Sequence, residues 1–255
     1  MIPEVGREQN VSYGVSVLTC RLKQLQNEVI KLIFPAVCIS CGKFGDFICV
    51  DCEKKLSRLL PPICQRCGKP ESSAQYCPEC WRKQSDLSGI RSVFIFEGII
   101  RTAVHELKYY HLRAISSLLG EYMAIYYRDN ALSCDYLIPV PLHPKRFGQR
   151  GYNQSELLTA KMSEITGVPM LNDAIVRVID NEPQARTVSV EERRHNVENV
   201  FSCKNSLVRG KEVMIVDDVC TSGATLEACA KSLIGGGAKK AFGITLAREL
   251  LNRSL

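Results

Sequence analysis

The chain has 255 residues, 45% of them apolar, and a formal net charge of +6. That length accommodates one medium domain and a smaller companion. No apolar run approaches the roughly 18 residues that a membrane span needs, and the start MIPEVGREQN has no apolar core behind a basic end, so a cytoplasmic location is expected.

Residues 1–13 are too polar to predict an element. From 15 to 33, Val15, Leu18, Leu22, Leu25, Val29, Leu32 and Ile33 recur at helical spacing, which predicts an amphipathic helix docked on the body of the protein or on a partner. Pro35 ends it. Residues 1–35 thus form a first part.

Residues 36–84 form a second. The chain holds thirteen cysteines, eight of them in four CxxC pairs: Cys38/Cys41, Cys49/Cys52, Cys64/Cys67 and Cys77/Cys80. In a reducing compartment this points to metal rather than disulfides. CISCGK at 38–43 recurs as CQRCGK at 64–69, each followed by a plainer pair. The repeat predicts two zinc ribbons, because tetrahedral Zn²⁺ takes four thiolates and a CxxC turn offers two. Sequential pairing puts Cys38, Cys41, Cys49 and Cys52 on one ion and Cys64, Cys67, Cys77 and Cys80 on the other; an interleaved cross-brace uses the same cysteines. All-thiolate sites leave no open position, so the two Zn²⁺ ions are structural. They also revise the charge: eight thiolates and two dications bring +6 down to about +2, which weakens any argument for a polyanion partner from overall charge.

Residues 85–255 alternate strand and helix patterns. Strands are expected at 92–97, 136–140, 174–178, 213–216 and 241–246. Helices are expected from 101, over 115–128 and 155–166, and over 226–233 before Gly235, Gly236 and Gly237. This alternation predicts an α/β fold, a mostly parallel sheet flanked by helices, with ligands at the carboxyl ends of the strands.

At one such end stands VMIVDDVCTSGAT, residues 213–225. Asp217 and Asp218 can accept hydrogen bonds from a vicinal diol. Thr221, Ser222, Gly223, Ala224 and Thr225 can set hydroxyls and the N–H groups of a helix start against a phosphate. Together they describe a ribose-5-phosphate site. A second segment, 139–153, reads as a loop between a strand and a helix and carries Lys145, Arg146 and Arg150 near two glycines. It fits a pyrophosphate, a solvated basic loop, or single-stranded nucleic acid with Phe147 and Tyr152 stacking on bases, although both aromatics could equally pack inward. His143 is a possible anion donor or a structural residue. Residues 181–196 are long and polar, a lid that could bring Gln184, Arg186, Arg193 and Arg194 onto a ligand, or a solvated surface.

The 213–225 stretch resembles the PRPP-binding motif of type I phosphoribosyltransferases, with Cys220 and Ser222 as departures in detail. The whole chain resembles the ComF family of competence proteins. The likeness rests on the cysteine pairs after Phe34-Pro35, on Leu107-Lys108-Tyr109, on Pro139-Val140-Pro141-Leu142, on Arg150-Gly151-Tyr152-Asn153-Gln154, on residues 193–196 and on 216–225. It implies a double zinc ribbon joined to a type I phosphoribosyltransferase-like domain, with Asp217 and Asp218 on the ribose hydroxyls, residues 221–225 on the 5′-phosphate, and Mg²⁺ arriving with PRPP. It also implies a cytoplasmic role in uptake of transforming DNA, handling single-stranded DNA beside a competence helicase or uptake-channel component. Fold does not fix a reaction. A metabolic phosphoribosyltransferase for a nucleobase or amine, and a non-enzymatic zinc-dependent binder of single strands, remain as alternatives.

Overall fold

The computed structural model describes residues 35–72, 75–82, 84–110, 112–178 and 200–250. The expected helix over 15–33 and the lid over 181–196 lie outside them. The chain divides into two compact units, Met1–Lys54 and Lys55–Leu255.

In the first unit, β1 (Ala36–Val37) pairs antiparallel with β2 (Phe44–Gly45), and the short α1 (Val50–Glu53) follows Cys49. In the second, α2 (Pro78–Arg82) follows the third cysteine of its ribbon. Then come β3 (Leu87–Ile95), α3 (Gly98–Tyr109), α4 (Ile115–Asp129), β4 (Tyr136–Pro139), α5 (Pro144–Arg150) and α6 (Gln154–Thr166). β5 (Ile175–Arg177), β6 (Phe201–Cys203), β7 (Glu212–Cys220), α7 (Ala224–Gly235) and β8 (Lys240–Arg248) complete the chain.

The main sheet runs β3-β8-β7-β4, and every neighbouring pair is parallel. This is the expected α/β architecture. Its strands read as near-continuous apolar runs, as strands covered on both faces do: Val213 to Val216 are all buried. α7 packs on β3, β7 and β8 through Leu226, Cys229, Ala230 and Leu233, an i, i+3, i+4, i+7 face. α4 and α6 pack on each other so closely that a Cβ on Gly120 would sit 2.7 Å from Lys161 Cβ.

Three expectations need correction. The strand over 213–216 does not stop before the acids. β7 continues to Cys220, because Asp217, Val219 and Cys220 stay in register with Thr245, Ala247 and Arg248 of β8. The strand over 174–178 shortens to β5 and leaves the main sheet to pair antiparallel with β6. Residues 139–153 are not all loop: α5 forms because the His143 ring nitrogen caps Lys145 N–H at 3.1 Å, Pro144 opens the first turn, and Gly151 closes it in the left-handed region.

The outer edge of β3 is covered by the second ribbon and its lead-in. Ile90 N–H donates to Arg66 O at 2.7 Å, Leu59 N–H to Val93 O at 3.0 Å and Ile95 N–H to Ser57 O at 2.8 Å. An otherwise open sheet edge is thereby paired.

Candidate functional site

The eight paired cysteines gather as the sequential pairing requires. Cys38, Cys41, Cys49 and Cys52 form one quartet and Cys64, Cys67, Cys77 and Cys80 the other, each with its sulfurs within 4.8 Å of one another. Backbone geometry favours thiolate. Burial pushes Cys64 up, but N–H groups of Cys77, Cys67 and Arg66 outweigh it and hold the thiol at about 6; Cys38 is lowered in the same way by Cys49, Cys41 and Ser40. Four converging thiols, one of them in each quartet with lowered affinity for protons, fit structural Zn²⁺. Gly68 shows why the knuckle needs glycine: φ is +71°, and a Cβ would meet Ile90 O at 2.5 Å.

At the far end of β7 the two acids have separate partners. Ser155, in the first turn of α6, donates to Asp217 Oδ1 at 2.8 Å. The same oxygen accepts Asp218 N–H at 2.9 Å. Lys108, in the last turn of α3, lies 2.6 Å from Asp218 Oδ2, and Val219 N–H donates to Asp218 Oδ1 at 2.8 Å. Burial, and then the charge of Asp218, push the Asp217 carboxyl up to about 7 against the opposing pull of Ser155. Sequence reading found both acids but missed Lys108 and Ser155 as their partners, which tertiary folding brings from 110 and 62 residues away.

Beyond β7, residues 221–225 are largely exposed and lead into α7. Gly223 caps that helix at φ +85°, and Ser222 Oγ accepts Ala224 N–H at 3.3 Å. A hydroxylated turn at a helix start presents donors to an anion. Between this turn and the second ribbon lies a cavity of about 390 Å³, with Lys69 on the ribbon side, Ser222 and Gly223 on the loop side, and Ala228 and Lys231 along α7.

The basic segment is tied to the acids through the end of α3. The Arg150 guanidinium stands over the Tyr109 ring at 5.6 Å and donates to Gln154 Oε1. Tyr152 OH donates to Leu107 O, and Arg113 lies 4.3 Å over the Tyr152 ring. Tyr152 thus takes the inward-packed alternative and is buried and unavailable for stacking, whereas Phe147 is 48% exposed. Tyr109 at 61% and Tyr110 at 70% are exposed aromatics that the sequence reading passed over. His143 serves as a helix cap. Lys145 and Arg146 lie on exposed turns of α5. Gln184, Arg186, Arg193 and Arg194 fall outside the described residues.

Comparison with known proteins bears on this arrangement. Residues 29–81 match the double zinc ribbon domain, and residues 158–250 match the phosphoribosyl transferase domain. Competence protein ComFC of Bacillus subtilis is 27% identical over 197 residues, 74% of this chain and 79% of that protein. Competence protein F of Haemophilus influenzae is 29% identical, over 73% of this chain and 83% of its own. The chain is similar to these competence proteins over most of its length. DNA utilization protein YhgH of Escherichia coli K12 is 28% identical to this chain, over 81% of it and 94% of YhgH. Among solved structures, purine phosphoribosyltransferase from Pyrococcus horikoshii is 20% identical over 55% of this chain and 75% of that one, with a TM-score of 0.32. The glutamine PRPP amidotransferase of B. subtilis is 21% identical over 53% of this chain, with a TM-score of 0.39, but the likeness spans 26% of that longer chain. By the two domain matches, the chain joins a double zinc ribbon to a phosphoribosyltransferase-like domain. Among its described residues no helix is long and apolar enough to cross a membrane.

Proposed function

We propose that this chain acts as a ComF-type protein, binds PRPP through residues 217–225 and works in the cytoplasm in DNA uptake, where it handles single-stranded DNA. The observation that carries this reading is the junction of β7 and α7. Two carboxylates near the end of β7 are followed, after Val219 and Cys220, by an exposed hydroxylated turn that opens a helix. Asp217 and Asp218 accept from the ribose hydroxyls, and Thr221, Ser222, Gly223, Ala224 and Thr225 hold the 5′-phosphate. Lys145, Arg146 and Arg150 take the pyrophosphate, which arrives with Mg²⁺. At Asp218 the sugar replaces or shares the Lys108 ammonium, now 2.6 Å away. If a group is transferred, pyrophosphate leaves C1 of the ribose, and the cations of α5 offset the charge that develops on it. The names of the relatives, competence and DNA utilization proteins, support the setting.

The experiment is a thermal shift. Mg²⁺-PRPP should raise the melting temperature, and the Asp217→Asn/Asp218→Asn double variant should not respond. Absence of a shift in the parent protein refutes the PRPP site. Pyrophosphate release with a panel of nucleobases and amines then distinguishes transferase from binder.

One further observation favours direct contact with single strands. Tyr109, Tyr110 and Phe147 are exposed aromatics on α3, at its C-terminal end, and on α5, and Arg150 stacks on Tyr109. Aromatic rings for bases and cations for phosphates form a sequence-tolerant platform.

A further inference from the structure

Arg248, the last residue of β8, is 0% exposed and heads the fully buried side chains by volume. A guanidinium keeps its charge at any pH at which a protein is folded. Burying it without a partner is strongly unfavourable. Yet Nη1 donates only to the Cys220 sulfur, at 3.2 Å, while Nε and Nη2 have no hydrogen-bond partner. Among the described residues no carboxylate pairs with it.

What lies beside it is the knuckle of the second ribbon. A methyl group on Gly68 would sit 3.9 Å from Nη1. Gly68 directly follows Cys67, and its N–H donates to Cys64 O at 2.8 Å. The turn that carries Cys64 and Cys67 of the second quartet therefore lies beside this cation. Four thiolates around one dication carry a net charge of about −2. On its other side Arg248 grips Cys220, the residue that hands over to the 221–225 turn. Glu249 N–H donates to Cys220 O at 3.0 Å, and a Cβ on Gly223 would lie 3.8 Å from the Cys220 sulfur.

We propose that the metal–thiolate centre of the second quartet is the counter-charge of Arg248, and that through Arg248 and Cys220 its occupancy sets the geometry of the 221–225 turn. Arg248 is a positioning residue: it holds the strand end from which the turn departs. The second metal is then part of the ligand site, although it touches no ligand. The turn's role in phosphate binding rests on the function proposed above; the charge pairing does not.

The test uses the full-length, zinc-loaded protein and follows metal release to a chromophoric chelator. Single-quartet backgrounds, Cys41→Ser or Cys80→Ser, identify which site is emptying. Arg248→Met should speed release from the second quartet at least tenfold and leave the first unchanged, and Arg248→Lys should restore slow release. No acceleration, or equal acceleration at both quartets, overturns the proposal. Should Arg248→Met not fold, hydrogen exchange decides: Cys80→Ser should raise amide exchange at 221–225 at least tenfold, and Cys41→Ser should not. Equal effects overturn it. PRPP-induced thermal shifts are read alongside. If PRPP fails to shift the parent protein, the phosphate reading falls, while release and exchange still judge the pairing.

Discussion

Lys108 and Asp218 form a close ion pair near the end of β7. The side chain of Asp218 is 4% exposed and that of Lys108 21%, so removing the ammonium strands a carboxylate in a poorly solvated position. Lys108→Met should cost about 2 kcal/mol in urea denaturation, less than a fully buried pair because Lys108 keeps some contact with water. Lys108→Met/Asp218→Asn should cost less than the two single variants summed. Asp217 carries a pH signature. Its proton leaves the unfolded chain near pH 4 but the folded chain nearer 7. Folding therefore binds that proton, and the stability it contributes is full below about 4 and lost as pH rises through about 7. Melting temperatures of Asp217→Asn should fall less across that window than those of the parent. The acid pair was legible in the sequence because its meaning is contiguous. Lys108 and Ser155 were not, since only the packing of α3 and α6 against β7 brings them there.

At the scale of elements, α5 was hidden for a different reason. Seven residues that include Pro144 and Gly148 hold too little apolar periodicity to predict a helix, and the cap that starts it is a histidine ring. The long strands and α7 were easier, because burial on one face or both leaves a period in the sequence. The extension of β7 past the acids was not legible, since Asp217 stays in the strand only through its pairing with β8. If α5 presents cations to a strand of DNA, Lys145→Ala/Arg146→Ala should weaken oligonucleotide binding and reduce the log–log salt slope by about 0.7 per lost phosphate contact. Unchanged binding and slope would remove α5 from that surface. Leu233→Ala, on the buried face of α7, should cost about 2–5 kcal/mol by thermal or chemical denaturation.

Across the whole molecule, the two quartets follow one sequence repeat but belong to different compact units. The repeat made both metal sites legible. It could not show that the second ribbon would cover the edge of β3, because that depends on main-chain hydrogen bonds rather than on any motif. Gly68→Ala tests the join: its Cβ would meet Ile90 O at 2.5 Å in a backbone conformation that already disfavours side chains, and the expected loss is about 2 kcal/mol or more. The sheet also dictates an order of events during synthesis. Ser92 of β3 shares a 2.7 Å hydrogen bond with Thr245 of β8 across 153 residues of chain. Both cysteine quartets are complete once residue 80 has been made, long before β8 emerges from the ribosome. Nascent chains can thus load metal early, while β3 waits for its hydrogen-bonded neighbour on β8 until translation is nearly finished.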